Sequence, residues 1–212
     1  ILTEMLALNN MCASARGYRP PIAHPHEINI IPDPYDNKKE IFRNNPYMLE
    51  KEYRRDCCVL AIGGGVVTDL AGFVAGTFGR GVPFINYATT LLSAADASIG
   101  GKTAVDTPLA TNLIGIFNQP KKVYIDIDTW KTLPERQLSS GLSETIKHAC
   151  LADSEMFRYL ENNIEKILVN DKDACEYIAE HNCAVKYKVV MKDERESGLR
   201  EVLNLGHTVG RA

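Results

Sequence analysis

Four short stretches combine residue types that do chemistry at spacings that let them act together. In Gly63-Gly64-Gly65-Val66-Val67-Thr68-Asp69, three glycines stand between an apolar run and a small-residue stretch. Glycines at a strand-to-helix turn let backbone N–H groups approach a phosphate closely, and the helix N-terminus favours its negative charge. Thr68 stands where the third glycine of G-x-G-x-x-G belongs, and no Gly-Lys-Ser/Thr closes a P-loop. Taken alone, the triple glycine equally describes a tight turn. Asp96-Ala97-Ser98-Ile99-Gly100-Gly101-Lys102-Thr103, with Asn112 further on, gathers acidic, basic and glycine residues in apolar surroundings. Such a stretch suits a polar, phosphorylated ligand, and equally a surface loop with a solvated Lys102. In Gly141-Leu142-Ser143-Glu144-Thr145-Ile146-Lys147-His148, a helix puts Lys147 and His148 three and four residues after Glu144, on one face. A carboxylate and an imidazole one turn apart can share a metal, and a nearby lysine can bind an anion; an ordinary surface ion pair has the same spacing. Finally, Lys186 precedes Asp193 to Arg200 and Asn204-Leu205-Gly206-His207-Thr208. Here a glycine beside a histidine permits close backbone approach to a ligand, although a core histidine and a solvated charge run would read alike.

The elements that must position these residues follow from hydrophobic pattern. Cys57 to Ile62 is a continuous apolar run, the pattern of a strand buried on both faces, with the two cysteines as small core residues. A helix is expected from about Val66 to Phe78, strands at Phe84–Tyr87 and Val123–Ile127, and a turn into a helix at Thr89-Thr90. Alternating strands and helices imply a parallel sheet. Upstream, Glu27–Ile31 reads as a short strand among prolines 20, 21, 25, 32 and 34, and Asn45–Arg55 as a polar helix opened by Pro46. After Leu133-Pro134, the stretches Glu135–Ala152, Ser154–Val169 and Asp171–Asp193 fit amphipathic helices, and the sole later strand candidate is near Val202.

The chain has 212 residues, 45% hydrophobic and 24% charged, with a net charge of −3. That balance excludes wholesale disorder and a coiled-coil rod, and the charge argues against a nucleic-acid partner. No run approaches the roughly 20 apolar residues of a bilayer span, and Glu4 interrupts the mildly apolar start, so neither a membrane nor a targeting segment is expected. Six cysteines without a Cys-x-x-Cys pair suggest reduced thiols and a cytoplasmic setting. A chain running from Ile1 to Gly210-Arg211-Ala212 is expected to be a fragment.

Taken in order, the stretches resemble the 3-dehydroquinate synthase family. The matching wording includes Ala61 to Phe73, Arg80-Gly81, Thr89-Thr90-Leu91-Leu92, Gly100-Gly101-Lys102-Thr103 and Asn112-Leu113-Ile114-Gly115. It continues in Gln119-Pro120, Thr132-Leu133-Pro134-Glu135-Arg136, Gly198-Leu199-Arg200 and Asn204 to Thr208. The resemblance implies an N-terminal α/β, Rossmann-like dinucleotide-binding domain over residues 1–134. An all-α C-terminal domain, truncated, follows over residues 135–212, with the active site between them. It implies NAD, a divalent metal (zinc, or cobalt), and conversion of 3-deoxy-D-arabino-heptulosonate 7-phosphate to 3-dehydroquinate and phosphate. NAD is regenerated in each turnover.

Carried over residue by residue, Gly63, Gly64, Gly65, Val66, Asp69, Thr89, Thr90, Thr129 and Thr132 would hold NAD. Asp96, Lys102, Asn112, Lys147, Lys186, Arg200 and Asn204 would hold the sugar phosphate, joined by Arg80 from the other subunit of a homodimer. Glu196 would accept a proton, with Lys147 and Lys186 also in the catalytic set, and Glu144 and His207 would ligate the metal. Several cations suit a substrate carrying a phosphate and a carboxylate. Three departures stand out. Thr111 replaces a lysine of the family pattern, Arg211 replaces a histidine, and the third metal ligand falls beyond Ala212. A related sugar-phosphate cyclase acting on sedoheptulose 7-phosphate, and an inactive homologue, are the alternative readings. Retained Lys102, Arg200 and Asn204 favour the synthase.

Overall fold

Among the described residues, a short helical turn precedes a strand–helix–strand unit. The computed structural model describes residues 47–107 and 109–207, all within the compact unit Asp36–Ala212. The expected strand at Glu27–Ile31 and its flanking prolines lie outside the described residues. Strand β1 (Val59–Gly63) leads through the glycine turn into helix α1 (Gly65–Thr77), and β2 (Phe84–Ala88) returns parallel to β1. Val59 pairs with Phe84 and Gly63 with Ala88. Strand β5 (Lys122–Ile125) adds to the other side of β2, also parallel, giving the order β1-β2-β5. Between β2 and β5 the chain forms a π-helical turn (Ser93–Ala97) and an antiparallel pair, β3 (Lys102–Val105) with β4 (Ile114–Phe117). Three helices follow a 3-10 turn at Ile127–Thr132: α2 (Glu135–Ala152), α3 (Ser154–Leu168) and α4 (Lys172–Lys192). A parallel α/β part followed by a helical part is the expected fold class.

Capping explains the helix boundaries. Asp153 ends α2, and its side chain accepts from the Met156 N–H to start α3; Asp171 accepts from the Ala174 N–H to start α4. One continuous core then joins the two parts of the chain. Ala88, Leu91 and Ala94 from the sheet side pack with Trp130, Leu138, Leu142, Met156, Leu160, Ile167 and Ile178.

Several expectations are corrected. The polar helix expected over Asn45–Arg55 is a helical turn at 47–50 among the described residues. Glu52 adopts a left-handed φ of 57°, the Tyr53 N–H bonds the Met48 carbonyl and the Glu52 N–H bonds that of Leu49, which closes the turn. The run before Gly63 is not buried on both faces: Leu60 is 42% and Ile62 47% exposed. Strand alternation puts Cys58 on that same exposed side, so Cys58 is not a core residue, while Cys57 packs against buried Phe78 and Phe84. Among the described residues α1 packs on β1, and Ala61 is the buried side chain of that strand. The stretch from Asp96 to Thr103 is not a surface loop, because it runs from the π-helical turn into β3. Around Val202 there is a 3-10 helix, Leu199–Asn204, instead of a strand.

Candidate active site

The glycine turn sits where β1 feeds α1. A Cβ on Gly63 would stand 2.7 Å from Val67 Cγ2, and one on Gly64 would stand 3.1 Å from Thr90 Cγ2, so side chains here would close the turn against its neighbours. No side chain caps the start of α1. Its first-turn N–H groups and the positive end of its dipole are therefore available to an anion. Thr89, Thr90 and Thr129 gather at the same end. The Thr89 N–H donates to the Gly63 carbonyl (3.0 Å), and Thr129 Oγ1 donates to the Thr89 carbonyl (3.0 Å). Thr132 lies one turn further, its hydroxyl donating to the Thr129 carbonyl, and Val66 is exposed.

Asp69, one turn into α1, points to a different neighbourhood. It lines a cleft of about 500 Å³ together with Asp96, Lys102, Asn112, Lys186, Glu196, Arg200, Asn204 and His207. Burial pushes the Asp69 carboxyl up to about 7, and the Asp96 charge adds to this. Six of the eight residues expected to hold a sugar phosphate thus meet in one cleft, with the expected proton acceptor beside them.

Each cation in the cleft has a carboxylate or carbonyl partner. The Lys186 ammonium, on α4, donates to both the carbonyl and the carboxylate of Asp96. Burial alone would raise the Asp96 carboxyl, but Lys186 outweighs it and holds the group below the usual carboxylate range. Lys102, at the start of β3, pairs with Glu196. Burial opposes ionisation of Glu196 as well, yet Lys102 and the Asn204 amide, which donates at 3.2 Å, bring its carboxyl below the ordinary value. Asn112, in the β3–β4 connection, has a left-handed φ of 56°, and its N–H donates to Asp106 Oδ1.

Arg200 is 2% exposed, with Nη1 donating to the Glu194 carbonyl. It fits because Gly100 has no side chain: a Cβ there would stand 2.4 Å from Arg200 Nη2. Asp193 holds the turn that presents Glu196 and Arg200. Its carboxylate accepts from the N–H groups of Ser197, Gly198 and Arg200 and from the Ser197 hydroxyl. These donors, led by the Arg200 N–H, bring its carboxyl down to about 2.

Glu144, Lys147 and His148 share one face of α2, as their spacing required. They are not a surface ion pair, for the Glu144 and Lys147 side chains are 13% and 11% exposed and His148 is fully buried. Lys147 Nζ lies 2.6 Å from Glu144 Oε1 and donates to the Leu203 carbonyl at 2.6 Å. Glu144, His148 and Asp96 each offer a ligand atom, all within 4.8 Å of one another. His207, the other expected metal ligand, lines the cleft. Arg80 does not line it; this residue is exposed, with a φ of 67°, in the tight turn after α1. Thr111 is exposed, and Arg211 lies outside the described residues.

Sequence reasoning passed over Asn182 and Asp193. Asn182 carries no local signal, since its partner His148 lies 34 residues away. Asp193 was visible within an acidic run, but its four donors appear only once the turn is folded.

This chain is similar to known proteins from residue 33 to its last residue. Residues 33–140 match the 3-dehydroquinate synthase N-terminal family and residues 141–212 the C-terminal one. The 3-dehydroquinate synthase of Acetivibrio thermocellus is 46% identical over 188 residues, covering 86% of this chain and 51% of that protein. Among solved structures, 2-epi-5-epi-valiolone synthase from Streptomyces hygroscopicus, with NAD+ and Zn2+ bound, superposes with a TM-score of 0.78 at 28% identity, covering 84% of this chain and 51% of that one. A 2-deoxy-scyllo-inosose synthase complexed with carbaglucose-6-phosphate, NAD+ and Co2+ gives 0.76 at 25% identity, covering 82% and 47%. The chain spans about half the length of the curated relatives it matches. With the family's N-terminal and C-terminal models matched in succession over residues 33–212, the chain belongs to the 3-dehydroquinate synthase family.

Proposed function

We propose that this protein is a 3-dehydroquinate synthase, acting on 3-deoxy-D-arabino-heptulosonate 7-phosphate to give 3-dehydroquinate and phosphate. One observation carries the reading: Lys102, Lys186 and Arg200 converge with Asp96, Glu196 and Asn204 on a single cleft. Three cations beside hydrogen-bonding amides suit a ligand with a phosphate, a carboxylate and several hydroxyls.

The residues fit both cofactors that the solved relatives carry. The bare glycines and uncapped start of α1 form a cradle for the NAD pyrophosphate, with Thr89, Thr90 and Thr129 beside it. Glu144 and His207 would hold a divalent metal such as zinc or cobalt, with Asp96 and His148 offering further ligand atoms within 4.8 Å of that of Glu144. When bound, NAD supplies a hydride acceptor that returns the hydride later in the cycle, and the metal a Lewis acid at the hydroxyl being oxidised.

The chain's own residues do the rest. Lys186 and Asp96 orient the sugar, and Arg200 and Lys102 neutralise its anionic ends. Glu196, its carboxyl below the usual range, is ionised at neutral pH and accepts a proton. Lys147, fixed by the Leu203 carbonyl, places a further positive charge beside Glu144. Arg80 would come from the second subunit of a homodimer, in keeping with its exposure away from the cleft.

We place the division between an NAD-binding part (1–134) and a metal and substrate part (135–212) at Leu133-Pro134. The setting is cytoplasmic, with no nucleic-acid or membrane partner; no described helix is long and apolar enough to cross a membrane. The test is phosphate release with NAD and zinc present. The heptulosonate phosphate should be turned over and sedoheptulose 7-phosphate should not; the opposite preference would sink the reading.

A further inference from the structure

The connection between β3 and β4 holds a carboxylate that does not line the cleft yet grips a residue that does. The ladder joining the two strands ends at the Val105–Ile114 pair, so backbone groups between them must find partners outside it. Asp106, half-buried directly after β3, accepts the Asn112 N–H on Oδ1 at 2.9 Å. Thr107 braces the same connection. Its N–H donates to the Ala110 carbonyl at 3.0 Å, and its hydroxyl oxygen accepts the Ala110 N–H at 3.1 Å. Beyond these ties Asn112 takes a left-handed φ of 56°, a conformation that asparagine tolerates and most side chains resist.

Asn112 lines the cleft, and among the described residues its side-chain amide makes no hydrogen bond. The direction of that amide is therefore set by its backbone, and Asp106 is what holds the Asn112 N–H. Asp106 is in turn carried by β3, whose first residue, Lys102, lines the same cleft. The bond thus passes the placement of β3 across the connection and keeps Asn112 in register with Lys102. A carboxylate accepting a backbone N–H makes a charge-assisted bond, but the geometry asks only for an acceptor oxygen. A negative charge beside the cleft does nothing to attract an anionic sugar phosphate, so any service of Asp106 to binding runs through Asn112.

We propose that Asp106 is a positioning residue for substrate binding, its Oδ1 holding the Asn112 backbone so that the Asn112 amide faces the hydroxyls of the sugar phosphate. This deepens the synthase reading and rests on it for the ligand, but not for the hold on Asn112. The test is a double-mutant cycle read in the Kd of 3-deoxy-D-arabino-heptulosonate 7-phosphate by calorimetry, with kcat read from phosphate release. Asp106→Ala should raise Kd about three- to tenfold and leave kcat nearly unchanged. Asp106→Asn, which keeps an acceptor oxygen and drops the charge, should restore a near-wild-type Kd. In an Asn112→Ala background, removing Asp106 should add nothing. The Asn112 amide should exchange slowly with solvent in wild type and Asp106→Asn, and fast in Asp106→Ala. The proposal is overturned by an unchanged Kd in Asp106→Ala, or by an Asp106→Asn variant that binds as weakly. It is overturned equally by a full further loss in the Asn112→Ala background, or by an Asn112 amide that exchanges freely in wild type. Phosphate release with an additive cycle would reject Asp106 as a positioning residue and leave the synthase reading intact. A coupled cycle without phosphate release would do the reverse, and wild-type protein that fails to bind the sugar phosphate would overturn both.

Discussion

Asp69 and Asp193 are carboxylates driven in opposite directions by their surroundings, and each gives a pH signature. Asp69 is desolvated and faces Asp96, so its carboxyl moves from 3.8 up to about 7. The folded state then holds this proton more tightly than the unfolded chain. Its stabilising effect is full in acid and is lost as the pH rises from about 4 through 7. The thermal midpoint of the wild type should therefore fall relative to Asp69→Asn between pH 5 and pH 8; parallel profiles would contradict this. Asp193 behaves inversely, since its four donors favour the ionised form and take the carboxyl down to about 2. Its contribution is present above the usual carboxylate range and lost as the pH drops toward that value. Asp193→Ala should release the turn that presents Glu196 and Arg200. Phosphate release should fall at least tenfold with little change in far-UV circular dichroism, because the helices do not depend on this turn.

Close approach between elements rests on glycines. On α2, a Cβ at Gly141 would stand 2.7 Å from Leu91 Cβ and from the Leu92 backbone nitrogen. Backbone cannot yield as a side-chain tip does, so Gly141→Ala should cost about 1–3 kcal/mol in chemical denaturation. A smaller loss would mean that α2 can slide away from the segment after β2. The same elements show how much the sequence discloses. Helices α2, α3 and α4 were legible almost to the residue because Asp153 and Asp171 cap them locally and each helix has its own apolar face. Strands β1, β2 and β5 were legible from short apolar runs. The β3–β4 pair was not, since Lys102–Val105 and Ile114–Phe117 are short, carry no clear alternation, and become strands only when they pair across the 106–113 connection. The Glu144, Lys147 and His148 face followed from helical spacing alone. The contact between Asn182 and His148 depends on how α4 packs against α2, which no local pattern encodes.

Across the whole molecule, one core ties the sheet side to the helices, with Trp130 and Ile178 both fully buried in it. Ile178→Ala should cost about 2–5 kcal/mol. Trp130 is the only tryptophan in the sequence, so its fluorescence reports on this core directly. The fluorescence and circular dichroism transitions should coincide in wild type and variant; separated transitions would show that the two parts unfold independently. The shared core also fixes the cleft, because β3, α1 and α4 supply its walls from both parts of the chain. The proposed synthase reaction requires NAD to serve that cleft as a recycled cofactor. The most direct test counts phosphate released per NAD supplied, with 3-deoxy-D-arabino-heptulosonate 7-phosphate and zinc present. Many phosphates per NAD, with no accumulation of NADH, is the predicted result; NADH formed in step with substrate consumed, or no phosphate at all, would contradict it.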